Sequence, residues 1–162
     1  MAKKRGMRIT PEQMIAQWRP LRHKFQLNVW NFQVEVAKAA VEVFQMSFEL
    51  HRFNTNNSMP WRERRKNYKH PILKETGTLK NSIRYKKLTK SSMRVFTAPS
   101  QFGTAARHKG FCYAAVHNDP SGSHTYGHTG VRSIQRQFMG YSSILDKKVR
   151  ELSVQIFNGF PK

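Results

Sequence analysis

Cysteine, acidic residues and long apolar runs are all scarce in this sequence. The single cysteine, Cys112, excludes an internal disulfide and favours assembly in a reducing compartment. No run of about 18 apolar residues is present, so the sequence predicts no transmembrane helix. The basic start, residues 1–5, is not followed by an apolar stretch and a cleavage site, so we expect no secretory signal.

The shortage of acid leaves a strongly basic chain. Asp and Glu number 9 against 29 Lys and Arg, which gives a formal net charge of +20 over 162 residues. Such a charge opposes compaction and favours a polyanionic partner. Paired carboxylates of the kind that many hydrolases use are correspondingly scarce. Because a phosphate-binding loop, a dinucleotide fingerprint and a nucleophile elbow are also missing, we expect neither an enzyme nor a cofactor.

Four histidines in the second half of the chain suggest a metal site: His108, His117, His124 and His128. His124 and His128 are four residues apart, which suits two ligands on one face of a helix. Gly127 and Gly130 argue against a helix there, and no thiolate pair supports the site. We therefore predict no metal, and we expect His117 to end a strand and to hydrogen-bond locally.

A helix-start signal precedes the first apolar segment. Thr10 can cap a helix, Pro11 suits the first helical position, and Gln13 can complete a capping box. A proline inside a helix removes a hydrogen bond and crowds the preceding turn. We therefore expect Pro20 to end this first helix, which would be short.

A long helix is predicted over residues 22–51, because two rows of apolar side chains recur there at spacings of three and four. Together the rows cover roughly 200° of the helix circumference, more than one sheet would bury. We expect two packing partners, the chain's own sheet and a neighbouring subunit; burial within one monomer is the alternative. The row expected at the subunit interface contains Trp30, Val34, Val41, Phe44 and Phe48.

The rest of the long helix is a narrow polar strip. Glu35, Glu42 and Glu49 recur on it every seven residues and are three of only 9 acidic residues. A basic neighbour would pair with these carboxylates; an ordinary solvated face is the alternative.

Alternating polar and apolar residues predict strands in the second half of the chain. We expect strands beginning at Ile83 and Met93, a third strand over 111–117 and a short fourth near 137–140. Cys112 falls on the apolar face of the third strand, where an inert buried thiol is the usual case.

These elements predict an α+β fold, with a long N-terminal helix and a C-terminal helix packed on a small, mainly antiparallel sheet. We expect a single domain over residues 10–162, preceded by a basic flexible arm over residues 1–9. Within the domain the predicted order is helices 10–51, a basic loop 52–70, a sheet 80–140 and a C-terminal helix 143–158 capped by Ser143.

Basic residues cluster in the arm and in the loop, where Trp61 and Tyr68 lie among them. Several cations together can bind phosphates, and aromatic side chains can stack on unpaired bases. A solvated loop with a buried Trp61 is the alternative. The residues expected to face phosphates or DNA are Lys3, Lys4, Arg5, Arg62, Arg64, Arg65, Lys66 and Lys69.

A second basic run places Arg84 and Lys86 on the polar face of the first strand. Because no known DNA-reading motif is present, we expect no sequence-specific recognition.

Three short phrases follow one another along the second half of the chain. They read I-L-x-x-T-G-x-L-x-x-S-I, Y-A-x-x-H and R-x-F-x-G-x-S. In this order and spacing they resemble the virion morphogenesis and tail completion family of tailed bacteriophages, over about residues 60–150. Gln137 stands where that family usually has proline, and residues 118–120 replace a glycine-containing continuation. The matching positions are Thr76, Gly77, Leu79, Ser82, Ile83, Tyr113, Ala114, His117, Arg136, Phe138, Gly140 and Ser142.

The resemblance implies a structural protein at the head–tail junction of a virion, as a neck, tail completion or tail terminator component. It implies assembly in the bacterial host cytoplasm into a homo-oligomeric ring, expected to be a hexamer. The implied partners are the portal or connector, tail proteins and the genomic DNA, with no membrane. The motif residues would be structural, with Gly77 in a tight turn, Leu79 and Ile83 in the core and Phe138 docking the last helix.

Two other functional classes remain open from the residues. The first is a non-sequence-specific nucleic-acid-binding protein, which would bind duplex DNA as a monomer with steep salt dependence. The second is a toxin-like or nuclease enzyme, which would have to cleave DNA in a metal-dependent reaction.

Overall fold

The computed structural model describes residues 10–64, 69–73, 76–98, 113–118 and 134–158. Its elements, in chain order, are α1 (Pro11–Leu50), α2 (Thr78–Asn81), β1 (Ile83–Thr89), β2 (Ser92–Thr97), α3 (Tyr113–Asn118) and α4 (Ser143–Phe157). The α+β prediction is confirmed, with two principal helices and a small antiparallel sheet. The predicted arm over residues 1–9 lies outside the described residues. Among the residues described, no helix combines the length and apolar character that a membrane span requires.

The start of α1 was predicted correctly, but its continuity was not. The Thr10 hydroxyl accepts a hydrogen bond from the Gln13 backbone, and the Gln13 side chain accepts one from the Thr10 backbone, so the capping box is complete. Pro20 does not end the helix, which runs through it for 40 residues. The turns around Pro20 are exposed, so the carbonyl that loses its partner there can hydrogen-bond to water instead.

The two apolar rows of α1 meet two different partners, and both belong to the same chain. Phe25 and Phe32 place their rings 6.1 and 5.5 Å from the ring of Phe157 on α4. Trp30, from the other row, lies under the Lys87 ammonium of β1 at 4.2 Å. Part of the wide apolar arc is therefore covered by α4, which packs along α1. The neighbouring subunit expected for the rest of the arc stays a prediction.

The main core lies around the C-terminal end of α1. Phe48 is fully buried there, with its ring 5.6 Å from Trp61 and 5.1 Å from Phe138. Phe44 is 6% exposed and belongs to the same cluster. Phe44 and Phe48 were predicted at a subunit interface, and that placement is corrected, because their own chain already covers them. Val34 and Val41 are half-buried, and Trp30 is 37% exposed.

The sheet is smaller than predicted, and consists of β1 and β2 in an antiparallel hairpin. The third predicted strand is instead α3, in which Ala114 and His117 are buried and Ala115 is exposed. Burial three residues apart is helical spacing, and a short apolar run cannot be assigned to strand or helix by periodicity alone. Residues 137–140 form no strand, because the Phe138 and Met139 backbones donate to the Asn118 side chain rather than to a neighbouring strand.

The capping residue of the final helix, α4, is one residue earlier than predicted. The Ser142 hydroxyl accepts from the Leu145 backbone at 3.2 Å, so Ser142 is the cap and Ser143 is the first helical residue. Ser143 instead hydrogen-bonds the Thr55 hydroxyl at 2.9 Å, which ties α4 to the loop after α1. The helix ends at Phe157, followed by Asn158, close to the predicted boundary.

Candidate functional site

The three sequence phrases that are far apart in the chain converge on one side of the core. Leu79, Ile83, Ala114 and Phe138, which come from all three phrases, are buried in a single hydrophobic cluster. The phrases are also hydrogen-bonded, because the Arg136 backbone donates to the His117 carbonyl at 2.8 Å. Residues of all three phrases therefore belong to the core, and their structural role stays a prediction.

Arg136 and His117 form the polar part of this convergence. The buried Arg136 guanidinium donates two hydrogen bonds to the Arg62 carbonyl, at 3.2 and 3.1 Å. Burial and, second, the nearby Arg136 charge lower the pKa of His117 to about 4. His117 is therefore neutral at pH 7. It lies in helix α3 rather than at the end of a strand, which corrects its predicted setting.

A hydroxyl and amide network joins the C-terminal end of α1 to the start of α4, and sequence reasoning missed it. Asn54 donates from its side chain to the Val43 carbonyl at 3.1 Å and from its backbone to the Ser47 hydroxyl at 3.0 Å. Ser142 donates to the Asn54 carbonyl at 2.6 Å. Ser47 and Ser142 are almost completely buried. The sequence signal for this network is Ser47, a polar residue between the apolar residues Met46 and Phe48 of α1.

Two motif glycines occupy backbone conformations that a side chain would strain. Gly77 has φ +72° and caps the start of α2. Gly140 has φ +150°, and a Cβ there would lie 2.5 Å from the Gln137 amide nitrogen. The Gln137 side chain also donates to the Met139 carbonyl at 3.2 Å, so this turn is tightly filled.

The N-terminal half of α1 carries an apolar face that the described residues leave exposed. We call this the arm face, made of Met14, Ile15, Trp18 and Leu21. Their exposed fractions run from 43% at Leu21 to 67% at Trp18. Spacings of four and three residues place Met14, Trp18 and Leu21 on one side of the helix. Contiguous exposed apolar surface of this kind typically marks an interaction site.

Two exposed apolar side chains lie beside the other end of α1. Met59 is 83% exposed and Tyr141 is 82% exposed. Met59 is two residues before Trp61, whose backbone donates to the His51 carbonyl, and Tyr141 precedes Ser142, whose hydroxyl donates to the Asn54 carbonyl. Because a 40-residue helix spans about 60 Å, these two side chains are well separated from the arm face.

The predicted phosphate-facing loop is only partly described, and the described part divides into two kinds of residue. Arg62 and Lys69 are exposed. Arg64 instead donates to the His70 and Pro71 carbonyls, at 3.1 and 3.0 Å, so its guanidinium holds the loop rather than facing outward as predicted. Trp61 is buried and donates to the Gln137 carbonyl, which is the alternative considered for it. The other predicted phosphate-facing residues lie outside the described residues: Lys3, Lys4, Arg5, Arg65 and Lys66.

The polar strip of α1 pairs within its own chain. Glu35 pairs with Lys38 at 2.8 Å, and Glu42 pairs with Lys148 of α4 at 3.8 Å. Glu49 pairs with Lys80 of α2. Each of these three carboxylates therefore has a basic partner within the same chain.

No group of three or more His, Cys, Asp or Glu side chains suited to a metal occurs in the part of the chain that the structure describes. The histidines weighed as ligands at 108, 124 and 128 lie outside that part, as does Cys112. No family model, curated protein or solved structure matches this chain. The assignment of a function therefore depends on the surfaces described above and on the three sequence phrases.

Proposed function

We propose that this protein is a structural component of a tailed phage virion, at the junction between head and tail. Copies of the chain would assemble into a closed ring, expected to be a hexamer, that joins connector and tail around the DNA channel. The observation that carries the proposal is the uncovered arm face of α1. Its apolar side chains match in kind and spacing those that α1 buries further along.

The positions of the arm face and of Met59 and Tyr141 support a ring. The arm face is at the start of α1, whereas Met59 and Tyr141 are beside its end. A contact between the arm face of one copy and Met59 and Tyr141 of the next copy is heterologous. Heterologous contacts close into rings when the rotation between copies permits. Contact between two different surfaces also explains why neither is covered within the chain.

The three sequence phrases supply the second line of support, for the place of the ring. Their buried residues form the scaffold that fixes α1 against the hairpin and α4. In the family that they resemble, such a scaffold belongs to a protein of the neck or tail end. No step of this function requires catalysis or a cofactor.

Self-assembly is tested by charging the arm face. Trp18→Asp puts a carboxylate in the middle of that face, whereas Asn31→Asp adds the same charge at an exposed position of α1 away from it. In sedimentation velocity, the parent chain and Asn31→Asp should form the same discrete oligomer, and Trp18→Asp should be monomeric. An oligomer that survives Trp18→Asp would exclude the arm face as the interface.

The place in the virion is tested on particles. Mass spectrometry of purified virions should contain this chain in a small fixed copy number. Particles assembled without it should show detached or incomplete tails by negative-stain microscopy. Virions that lack the chain would end the proposal, and a monomer that binds duplex DNA would favour the nucleic-acid-binding alternative.

A further inference from the structure

The geometry points to a binding site for the phosphate backbone of duplex DNA on the outer face of the β1–β2 hairpin. This site is separate from the loop and arm that the sequence suggested, and it does not depend on ring formation. We call it the hairpin face, made of Arg84, Lys86, Arg94 and Phe96.

Register and alternation define this face. Arg84 pairs with Phe96 and Lys86 pairs with Arg94 across the two strands, so all four side chains point to the same side. Lys87, the next residue along, lies over Trp30 of α1 and therefore marks the opposite, inner side. Arg84, Lys86 and Arg94 are exposed.

The arrangement of charge is unfavourable without an anion. Lys86 and Arg94 are directly opposed, and like charges in that relation destabilise a strand pair. None of the three cations forms an ion pair with an acid in the described part of the chain. Four of the described carboxylates, those of Glu35, Glu42, Glu49 and Asp146, are paired with other cations. A phosphate backbone would bring negative charge to all three cations and relieve this repulsion.

The face suits duplex backbone better than unpaired bases. Single-strand sites combine cations with aromatic rings on which bases stack. Phe96 is the one aromatic ring on the hairpin face, and the Lys86 ammonium lies over it at 5.3 Å. Because the ammonium lies over this half-buried ring, the face offers its cations rather than a ring on which a base could stack. A two-stranded ribbon is also narrow enough to follow a groove of the duplex.

The test compares two triple variants that remove the same charge from the full-length chain. The first, R84Q/K86Q/R94Q, removes the cations of the hairpin face. The control, K24Q/R52Q/K147Q, removes three exposed cations from α1, the loop that follows it and α4. Binding to a labelled duplex is measured by fluorescence anisotropy between about 50 and 200 mM salt.

We expect the hairpin variant to lower the slope of log K against log salt by about 2.7, because each lost phosphate contact contributes about 0.9. At about 100 mM salt its affinity should fall at least about tenfold, whereas the control should retain most of the parent's affinity and slope. Equal losses in both variants would overturn the site, since binding would then follow net charge alone. Tighter binding of a single-stranded oligonucleotide than of the duplex would overturn the assigned ligand, and so would equal binding of polyglutamate.

Folding is checked in the same variants. The glutamines remove the opposed charges of the hairpin, so the thermal midpoint of R84Q/K86Q/R94Q should be equal to or higher than the parent's. A lower midpoint would contradict the repulsion on which the site depends. The Trp18→Asp variant, measured in parallel, separates this site from the ring, because it should lose the oligomer and keep duplex binding by the monomer.

Discussion

The two halves of α1 have the same kind of apolar periodicity and opposite environments. Along residues 31–50, Val43, Phe44 and Phe48 are buried under the hairpin, α4 and the loop after α1. Along residues 11–30, Ile15 and Trp18 are also large apolar residues, and they remain 57% and 67% exposed. The helix pattern therefore records which side is apolar. Whether that side is covered depends on where the rest of the chain can reach.

The comparison has an energetic consequence. Packing of an apolar face, rather than intrinsic propensity, supplies most of the stability of a helix in a protein. The C-terminal half has that packing within its own chain. The N-terminal half has its capping box, carries Pro20 in its interior and leaves Trp18 exposed.

The largest contrast in the free energy of unfolding is expected between a substitution in the core and one in the arm face. Phe48→Ala should lower the free energy of unfolding by about 3–5 kcal/mol, because it leaves a cavity between Trp61 and Phe138. Trp18→Ala should change monomer stability by no more than about 0.5 kcal/mol, because its side chain is exposed. Urea unfolding at a concentration where the chain is monomeric measures both. If Phe48→Ala does not fold, Phe48→Leu should give a smaller loss of the same sign, and equal effects at positions 48 and 18 would refute the contrast.

The next effect comes from His117 in the core. Its pKa is lowered to about 4, below its usual value of 6.5, so the unfolded chain binds the proton more tightly. Stability should therefore be lost as the pH falls from about 6.5 towards 4, by up to about 3 kcal/mol. Unfolding followed as a function of pH should show this loss in the parent chain and less of it in His117→Gln.

A matched histidine on the N-terminal half of α1 checks that result. His23 is exposed, and His23→Gln should keep the parent's dependence of stability on pH. If both variants behave alike, the acid sensitivity comes from the net charge and not from the buried imidazole.

Substitution of Pro20 should have a local effect that is confined to the N-terminal half of α1. A proline in a helix interior costs up to about 3 kcal/mol relative to alanine. Pro20→Ala should therefore slow backbone amide exchange in residues 14–27 of the monomer and raise its helical circular dichroism. Amides of residues 37–48, which are fixed by tertiary packing, should exchange at the parent rate, and a change there would show that the two halves unfold together.

The smallest effect is expected at the ion pair between α1 and α4. Glu42 and Lys148 lie 3.8 Å apart and both are well exposed, so Glu42→Gln should cost less than about 1 kcal/mol. Urea unfolding at low and high salt measures it, and the difference from the parent should vanish at high salt. A larger or salt-independent loss would mean that Glu42 acts through packing.

Sequence periodicity predicted the helices more reliably than it predicted the sheet. The capping box at Thr10 and the apolar rows of α1 are local patterns, and they defined the helix start and its buried sides. Pro20 was misjudged, since its cost depends on whether water can reach the broken hydrogen bond. Residues 113–118 were misassigned because six residues do not distinguish a strand from a helix whose buried side is set by Phe138 and Arg136.

By itself the sequence determined the basic charge, the start of α1 and the apolar sides of its helix, because these follow from composition and from the local geometry of the backbone. Only the tertiary structure decided which apolar row meets α4, which meets the hairpin, and that the arm face is left exposed. It also decided that Lys86 and Arg94 stand opposite each other. The reason is that such pairings join residues that are distant in the chain or depend on strand register, and no local pattern specifies them.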